Sequence, residues 1–276
     1  MKISNFQAES IFAYSKQIDE DSKMGFFSKP FRITYQGEEF MLKKYKGIND
    51  SFEEIIALHK AYVLALKESG VQIPDTQMFS LREEERPQLC IFQKAFAHEQ
   101  LLRNVMLESE LPEFLKNLKL IFSEILNFWN KKPEGDNLGF HPTLRNYALV
   151  EGQLHYFDTF PPMNMSQQEL NKFIIRVAPY GKFFKPVVPP FGINRVTNEY
   201  YALDKMILGI VGSCCRLRPE FVQDILSFIS AEVANAEILE EIKKAVLVKT
   251  KNPPRLSLLW RIMRKLTGNT GAANVS

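Results

Sequence analysis

Two oxygen-bearing side chains, Asn146 and Asp158, stand at the ends of a short segment, NYALVEGQLHYFD, whose pattern folds it back on itself. Tyr147 to Val150 and Gln153 to Phe157 are short apolar-alternating runs. The Glu151-Gly152 pair between them suits a tight hairpin turn, because Gly accepts positive φ. Antiparallel pairing would bring Asn146 and Asp158 to one rim of a sheet. An amide oxygen beside a carboxylate suits a hard divalent cation, and Mg²⁺ is typically held by one or two protein oxygens plus substrate phosphates. Asn and Asp are also ordinary loop and turn residues, so spacing alone leaves both readings open.

A second chemical feature lies upstream. Phe31, Ile33 and Tyr35 alternate with Arg32, Thr34 and Gln36, Gly37 marks a turn, and Phe40 to Tyr45 forms the return strand. On that strand Phe40, Leu42 and Lys44 face one way, and Met41, Lys43 and Tyr45 the other. A strand lysine that shares a face with apolar residues is either an edge residue that discourages aggregation or a cation aimed at a bound phosphate.

The elements that must position these residues follow in order. Ser10 to Lys16 reads as a first strand. Ser51-Phe52-Glu53-Glu54 fits a capping box, with Ser51 accepting from a backbone N–H and Glu54 reaching back. The helix it opens runs to about Ser69-Gly70 and contains His59, read as a half-buried helix residue. Gln77 to Arg82 and Leu89 to Phe96 form another hairpin across a charged turn. His98 to Glu108 and Leu111 to Asn130 are helical, with a broad apolar stripe from Leu115 to Trp129 on the second. Ser166 to Arg176 is a helix capped by Ser166 and Glu169. Ala178 to Val196, rich in Pro and Phe, reads as an irregular binding loop. Asn198 to Val248 reads as three helical segments broken at Gly212 and Pro219. Residues 255–266 form a short basic amphipathic helix that either contacts an anionic membrane surface or docks on its own domain.

Composition bounds the possibilities. A chain of 276 residues accommodates one large domain or two lobes. A net charge of +3 gives no ground for a nucleic-acid partner. No run of about 18 apolar residues is present, so no transmembrane segment is expected. The N-terminus MKISNFQAES lacks the apolar core of a signal peptide, and the three cysteines make neither a disulfide framework nor a metal cluster. A cytoplasmic location is expected.

The order of elements resembles the protein-kinase-like superfamily, and especially its aminoglycoside-phosphotransferase and choline-kinase branch. FMLK, residues 40–43, resembles the strand that carries the phosphate-binding lysine. HPTLRN, residues 141–146, resembles the catalytic loop, and FDTF, residues 157–160, stands where the metal-binding aspartate would be. The resemblance implies an α+β, bilobal protein-kinase-like fold, with a small antiparallel-sheet N-lobe (1–96) and a larger, mainly helical C-lobe (97–252). Residues 253–276 would follow as a helix and tail. It further implies ATP or GTP and Mg²⁺ as cofactors, Lys43 on the nucleotide phosphates, Met41 near the base, and Asn146 and Asp158 as metal ligands.

The departures are specific. His141 occupies the place of the catalytic aspartate, and the loop contains no carboxylate. Arg145 would either stabilise charge on the transferring group or pair with a loop carboxylate. Segment 19–30 has one glycine, Gly25, and the helix position expected to pair with Lys43 is nearer His59 than Glu53 or Glu54. The implied function is a phosphotransferase acting on a small-molecule hydroxyl, with His141 orienting or deprotonating the acceptor. The alternative is a pseudokinase, in which the same fold serves as a binding or regulatory module with a protein partner.

Overall fold

The computed structural model describes residues 28–35, 37–45, 51–83, 86–177, 197–233, 239–240 and 242–244. Strands β1 (Ser28–Tyr35), β2 (Glu38–Tyr45), β3 (Thr76–Glu83) and β4 (Arg86–Lys94) form an antiparallel sheet in the order β1-β2-β4-β3. Strand alternation gives this sheet two apolar faces. On one face Ile33, Phe40 and Leu42 pack with Phe79, Leu81, Cys90 and Phe92. On the other, Tyr45, Met78, Leu89 and Ile91 meet Ile55, Phe160 and Phe173. Lys43 belongs to this second face by parity with Tyr45. Lys44 lies on the first, 5.4 Å over the Phe31 ring. Because β2 is hydrogen-bonded to both β1 and β4, it is an inner strand, which removes the edge-strand reading of Lys43.

Helix α1 (Phe52–Glu68) connects β2 to β3 and buries Ile55, His59, Tyr62 and Leu66 at helical spacing. Its cap is half of the expected box. Ser51 Oγ accepts from the Glu54 N–H at 3.4 Å, but the hydroxyl donates to Glu53 Oε2 at 3.1 Å and Glu54 does not reach back.

The rest of the described chain is mainly helical, so the expected α+β class holds. Helices α2 (Leu102–Glu108), α3 (Leu111–Lys131), α4 (Gln167–Val177), α5 (Leu203–Leu217) and α6 (Val222–Glu232) share one buried apolar cluster with a hairpin of β5 (Tyr147–Val150) and β6 (Gln153–Tyr156). Helix α3 supplies the central stripe, with Phe114, Leu118, Ile121, Phe122, Ile125 and Phe128 all buried. The α4 box is complete: the Ser166 N–H donates to Glu169 Oε2 at 2.9 Å, and the Glu169 N–H donates to Ser166 Oγ at 3.3 Å. Helix α5 runs unbroken through Gly212, contrary to the expected break. A glycine costs a helix about 1 kcal/mol, and burial of Ile210, Val211, Cys214 and Cys215 around it offsets that. The break falls at Pro219, which lacks the N–H to continue the helix.

The expected strand at 10–16, Gly25, the loop at 178–196 and the helix at 255–266 lie outside the described residues. Among the described residues no helix is long and apolar enough to cross a membrane.

Phe128 is fully buried, and its ring lies 4.7 Å from that of Phe140, which in turn lies 5.0 Å from Tyr156 of the hairpin. Phe128→Ala should cost about 3–5 kcal/mol, read as a lower urea midpoint at unchanged m-value. Leu64→Ala, at a side chain 56% exposed, should stay within about 0.5 kcal/mol of the parent.

Candidate functional site

The site is built outward from the hairpin turn. Glu151 and Gly152 both take positive φ, 51° and 76°, which gives a two-residue turn matched to strand twist. That turn sets the register Tyr147↔Tyr156. One step further out, the Phe157 N–H donates to the Asn146 carbonyl at 2.9 Å. Asn146 and Phe157 are therefore opposite one another, and Asp158 follows directly. Asn146, 7% exposed, donates its Nδ2 to the His141 carbonyl at 3.1 Å. With the amide nitrogen so engaged, its oxygen is the end that can ligate a cation.

Lys43 enters from β2. Its Nζ donates to the Phe157 carbonyl at 3.1 Å, stands 4.0 Å from Asp158 Oδ1, and lies 5.7 Å over the Phe157 ring. Residues from two distant parts of the chain thus converge on the Phe157-Asp158 pair. Burial draws the Lys43 amine below its ordinary range, opposed by the Asp158 carboxylate. Burial pushes the Asp158 carboxyl up, opposed by Lys43. The Lys43 side chain is 13% exposed and that of Asp158 is 40% exposed. Asp158 is thus walled by protein yet open on one side, so water screens its burial penalty more than that of Lys43.

His59 of α1 is 2% exposed, and its Nε2 is bonded to the Thr159 hydroxyl at 2.8 Å. Burial first, then the nearby Lys43 ammonium, pushes its pKa down to about 3. Three buried tyrosines, Tyr62, Tyr156 and Tyr200, lie within electrostatic reach of the Asp158 carboxylate. Burial raises all three phenols, and Asp158 adds to it. Tyr62 also donates to the Gly139 carbonyl at 3.2 Å.

The remaining expected residues are placed as follows. The His141 ring packs against Tyr200 with centroids 4.4 Å apart, and burial pushes its pKa down to about 4. It is therefore neutral at pH 7 but a weak acceptor of a hydroxyl proton. His141 also lines a small depression with Thr143, Glu199 and Lys205. Arg145 is exposed on the 3₁₀ turn Leu144–Asn146. Met41 is partly buried on β2, opposite Arg32 and Gln93. The structure brings together Lys43, Asn146 and Asp158 through Phe157, and attaches His141 to Asn146 by its main chain. Thr159, the three tyrosines and Glu199 were not singled out from the sequence. Nothing local marks them: Tyr156 and Thr159 flank the Phe157-Asp158 pair in sequence, while Tyr62, Glu199 and Tyr200 come from other segments.

Among the described residues no group of three or more His, Cys, Asp or Glu is placed to hold a metal. The donor set on offer is one carboxylate and one amide oxygen, which fits Mg²⁺ completed by phosphate and water.

The chain belongs, over residues 9–271, to the Family of unknown function (DUF6206). No curated protein matches its sequence. Among solved structures it is similar to WaaP in complex with acyl carrier protein, with a TM-score of 0.39 and 13% identity, covering 86% of this chain and 92% of that one. It is also similar to the PAN3 pseudokinase of Drosophila melanogaster, with a TM-score of 0.39 and 12% identity over 88% of this chain and 60% of that one. A microcompartment-associated aminopropanol kinase gives a TM-score of 0.32 and 9% identity, over 96% and 98% of the two chains.

Buried His59 and half-buried His141 give a signed pH dependence. Both pKa values lie below the ordinary value of about 6.5, at about 3 for His59 and about 4 for His141. As pH falls, the unfolded chain takes up these protons first. The stability from holding the rings neutral is therefore complete above about pH 6.5 and is lost progressively toward about pH 4 for His141 and about pH 3 for His59, by a few kcal/mol for each ring. Urea midpoints measured from pH 7 to pH 4 should fall across this window, and less steeply in His59→Gln.

Proposed function

We propose that the chain is a kinase-like phosphotransferase that moves a phosphoryl group from a nucleoside triphosphate to a hydroxyl of a small molecule. The observation that carries this reading is the Lys43–Asp158 approach of 4.0 Å on a segment hydrogen-bonded to Asn146. In this reading Lys43 binds phosphate oxygens, and Asp158 and Asn146 hold Mg²⁺. The cation, when bound, would neutralise charge on the β- and γ-phosphate oxygens. Met41 lines the nucleotide side. His141 fixes Asn146 through its carbonyl and orients the acceptor, and Arg145 faces charge near the loop. The aminoglycoside-phosphotransferase and choline-kinase branch is the type that the motif order supports best.

A second reading, a pseudokinase acting as a binding or regulatory module, is favoured by one observation. The loop offers a half-buried, weakly basic imidazole where a carboxylate would accept the hydroxyl proton. Phosphoryl transfer draws mainly on positioning and electrostatics, so this substitution does not decide between the two.

Thermal melts with ATP or GTP, each with and without Mg²⁺ or Mn²⁺, separate them. A ligand at about 100 times its Kd adds about 2.7 kcal/mol, equivalent to roughly 5–10 °C for a chain of this size. The phosphotransferase reading expects a rise that requires both nucleotide and metal, and that disappears in Asp158→Ala and in Lys43→Met. Melts indifferent to every combination would favour the module.

A further inference from the structure

The Lys43–Asp158 pair is flanked by a buried contact that the phosphotransferase roles leave unused. His59 sits in the middle of α1, and Thr159 immediately follows Asp158; they are one hundred positions apart in sequence and bonded at 2.8 Å. Their exposures are 2% and 1%, so each would lose a hydrogen bond in a dry setting if the other were removed. The bond is a polar tie between α1 and the segment that carries the candidate metal ligand. The apolar contacts around it, Ile55 with Phe160 and Tyr45 with Phe160 at 4.2 Å, hold the same segment from the other side of Thr159.

The chemistry of the tie matters as well. A carboxylate at position 59 would place a second negative charge beside Lys43. A neutral imidazole leaves Asp158 as the charge that faces the ammonium. When Asp158 turns to a cation, the Lys43 charge is then available to an anionic group carried by that cation.

We propose that His59 is a positioning residue for the site: its bond to Thr159 fixes residues 157–160 against α1 and so sets Asp158 relative to Lys43 for binding a metal-bound polyphosphate. The proposal rests on the phosphotransferase reading of the same residues, and the test has one readout for each. The full chain is made as wild type, His59→Ala, His59→Gln, Thr159→Val and the His59→Ala/Thr159→Val double variant. Binding of Mn²⁺-ATP is measured by calorimetry, and amide exchange is followed at Phe157, whose N–H is bonded to Asn146, with Phe122 in α3 as the internal control.

His59→Ala and Thr159→Val should each weaken Mn²⁺-ATP binding by about tenfold or more, the usual loss when a group that orients a ligand is removed. The double variant should lose little beyond either single one, because both delete one interaction. His59→Gln, whose amide can replace Nε2 toward the hydroxyl, should restore most of the affinity. A residue that merely fills space would not be rescued by Gln. Exchange at Phe157 should accelerate in the Ala and Val variants while Phe122 does not change. Unchanged exchange at Phe157 in both variants, or losses that add in the double variant, would overturn the proposal. Faster exchange in a chain whose wild type binds no Mn²⁺-ATP would support the tie and overturn the phosphotransferase reading instead. Should His59→Ala not fold, Thr159→Val, which changes one hydroxyl for a methyl, carries the same comparison.

Discussion

The main chain of Phe157 is the junction on which the site depends. Its N–H donates to the Asn146 carbonyl and its own carbonyl accepts from Lys43. Buried backbone polar groups need partners, and these two find theirs at the loop before the hairpin and on the inner strand of the sheet. The geometry of the next residue follows. Asp158 is placed at the exit of the hairpin, between a loop fixed by Asn146 and an ammonium fixed by β2. A one-residue slip in the β5–β6 register would exchange the partners of Phe157 and turn Asp158 away, and the Glu151-Gly152 turn excludes that slip by its length and its two positive φ angles.

Charge is economical around this junction. Lys43 and Asp158 are opposed within a protein-walled space, with Asp158 keeping an opening to water. The groups that feel this pair are neutral at pH 7: His59 and the phenols of Tyr62, Tyr156 and Tyr200. A cation entering at Asp158 would therefore meet one carboxylate with the Lys43 ammonium 4.0 Å away, and further negative charge must come from what it brings. That arrangement suits a metal carried by a polyphosphate better than a bare ion held by the protein alone.

Much of this was legible in the sequence because it rests on local periodicity. Parity along FMLKKY put Lys43 with Tyr45 and Lys44 with Phe40, and an Asn146–Phe157 junction follows from a two-residue turn between two short strands. Other features depend on contacts between distant segments and leave no local mark. His59 looks like an ordinary helix residue until Thr159 is brought beside it. Tyr200 and Glu199 reach His141 from the 3₁₀ turn Asn198–Tyr200, more than fifty residues further along the chain. Gly212 misled for a related reason: intrinsic propensity marks it as a break, but burial on α5 outweighs propensity. Ser51 shows the limit at short range, since its sequence permits two carboxylate partners and the hydroxyl chose Glu53.

The central claim is that one cation site lies where Lys43, Asn146 and Asp158 meet. Paramagnetic broadening by Mn²⁺-ATP in a nitrogen-labelled sample tests it most directly. The claim predicts that the amides of Phe157, Asp158 and Thr159 and the side-chain amide of Asn146 broaden at the lowest Mn²⁺ additions, ahead of every other resonance. Broadening that begins elsewhere, with these four signals intact at saturation, would contradict it.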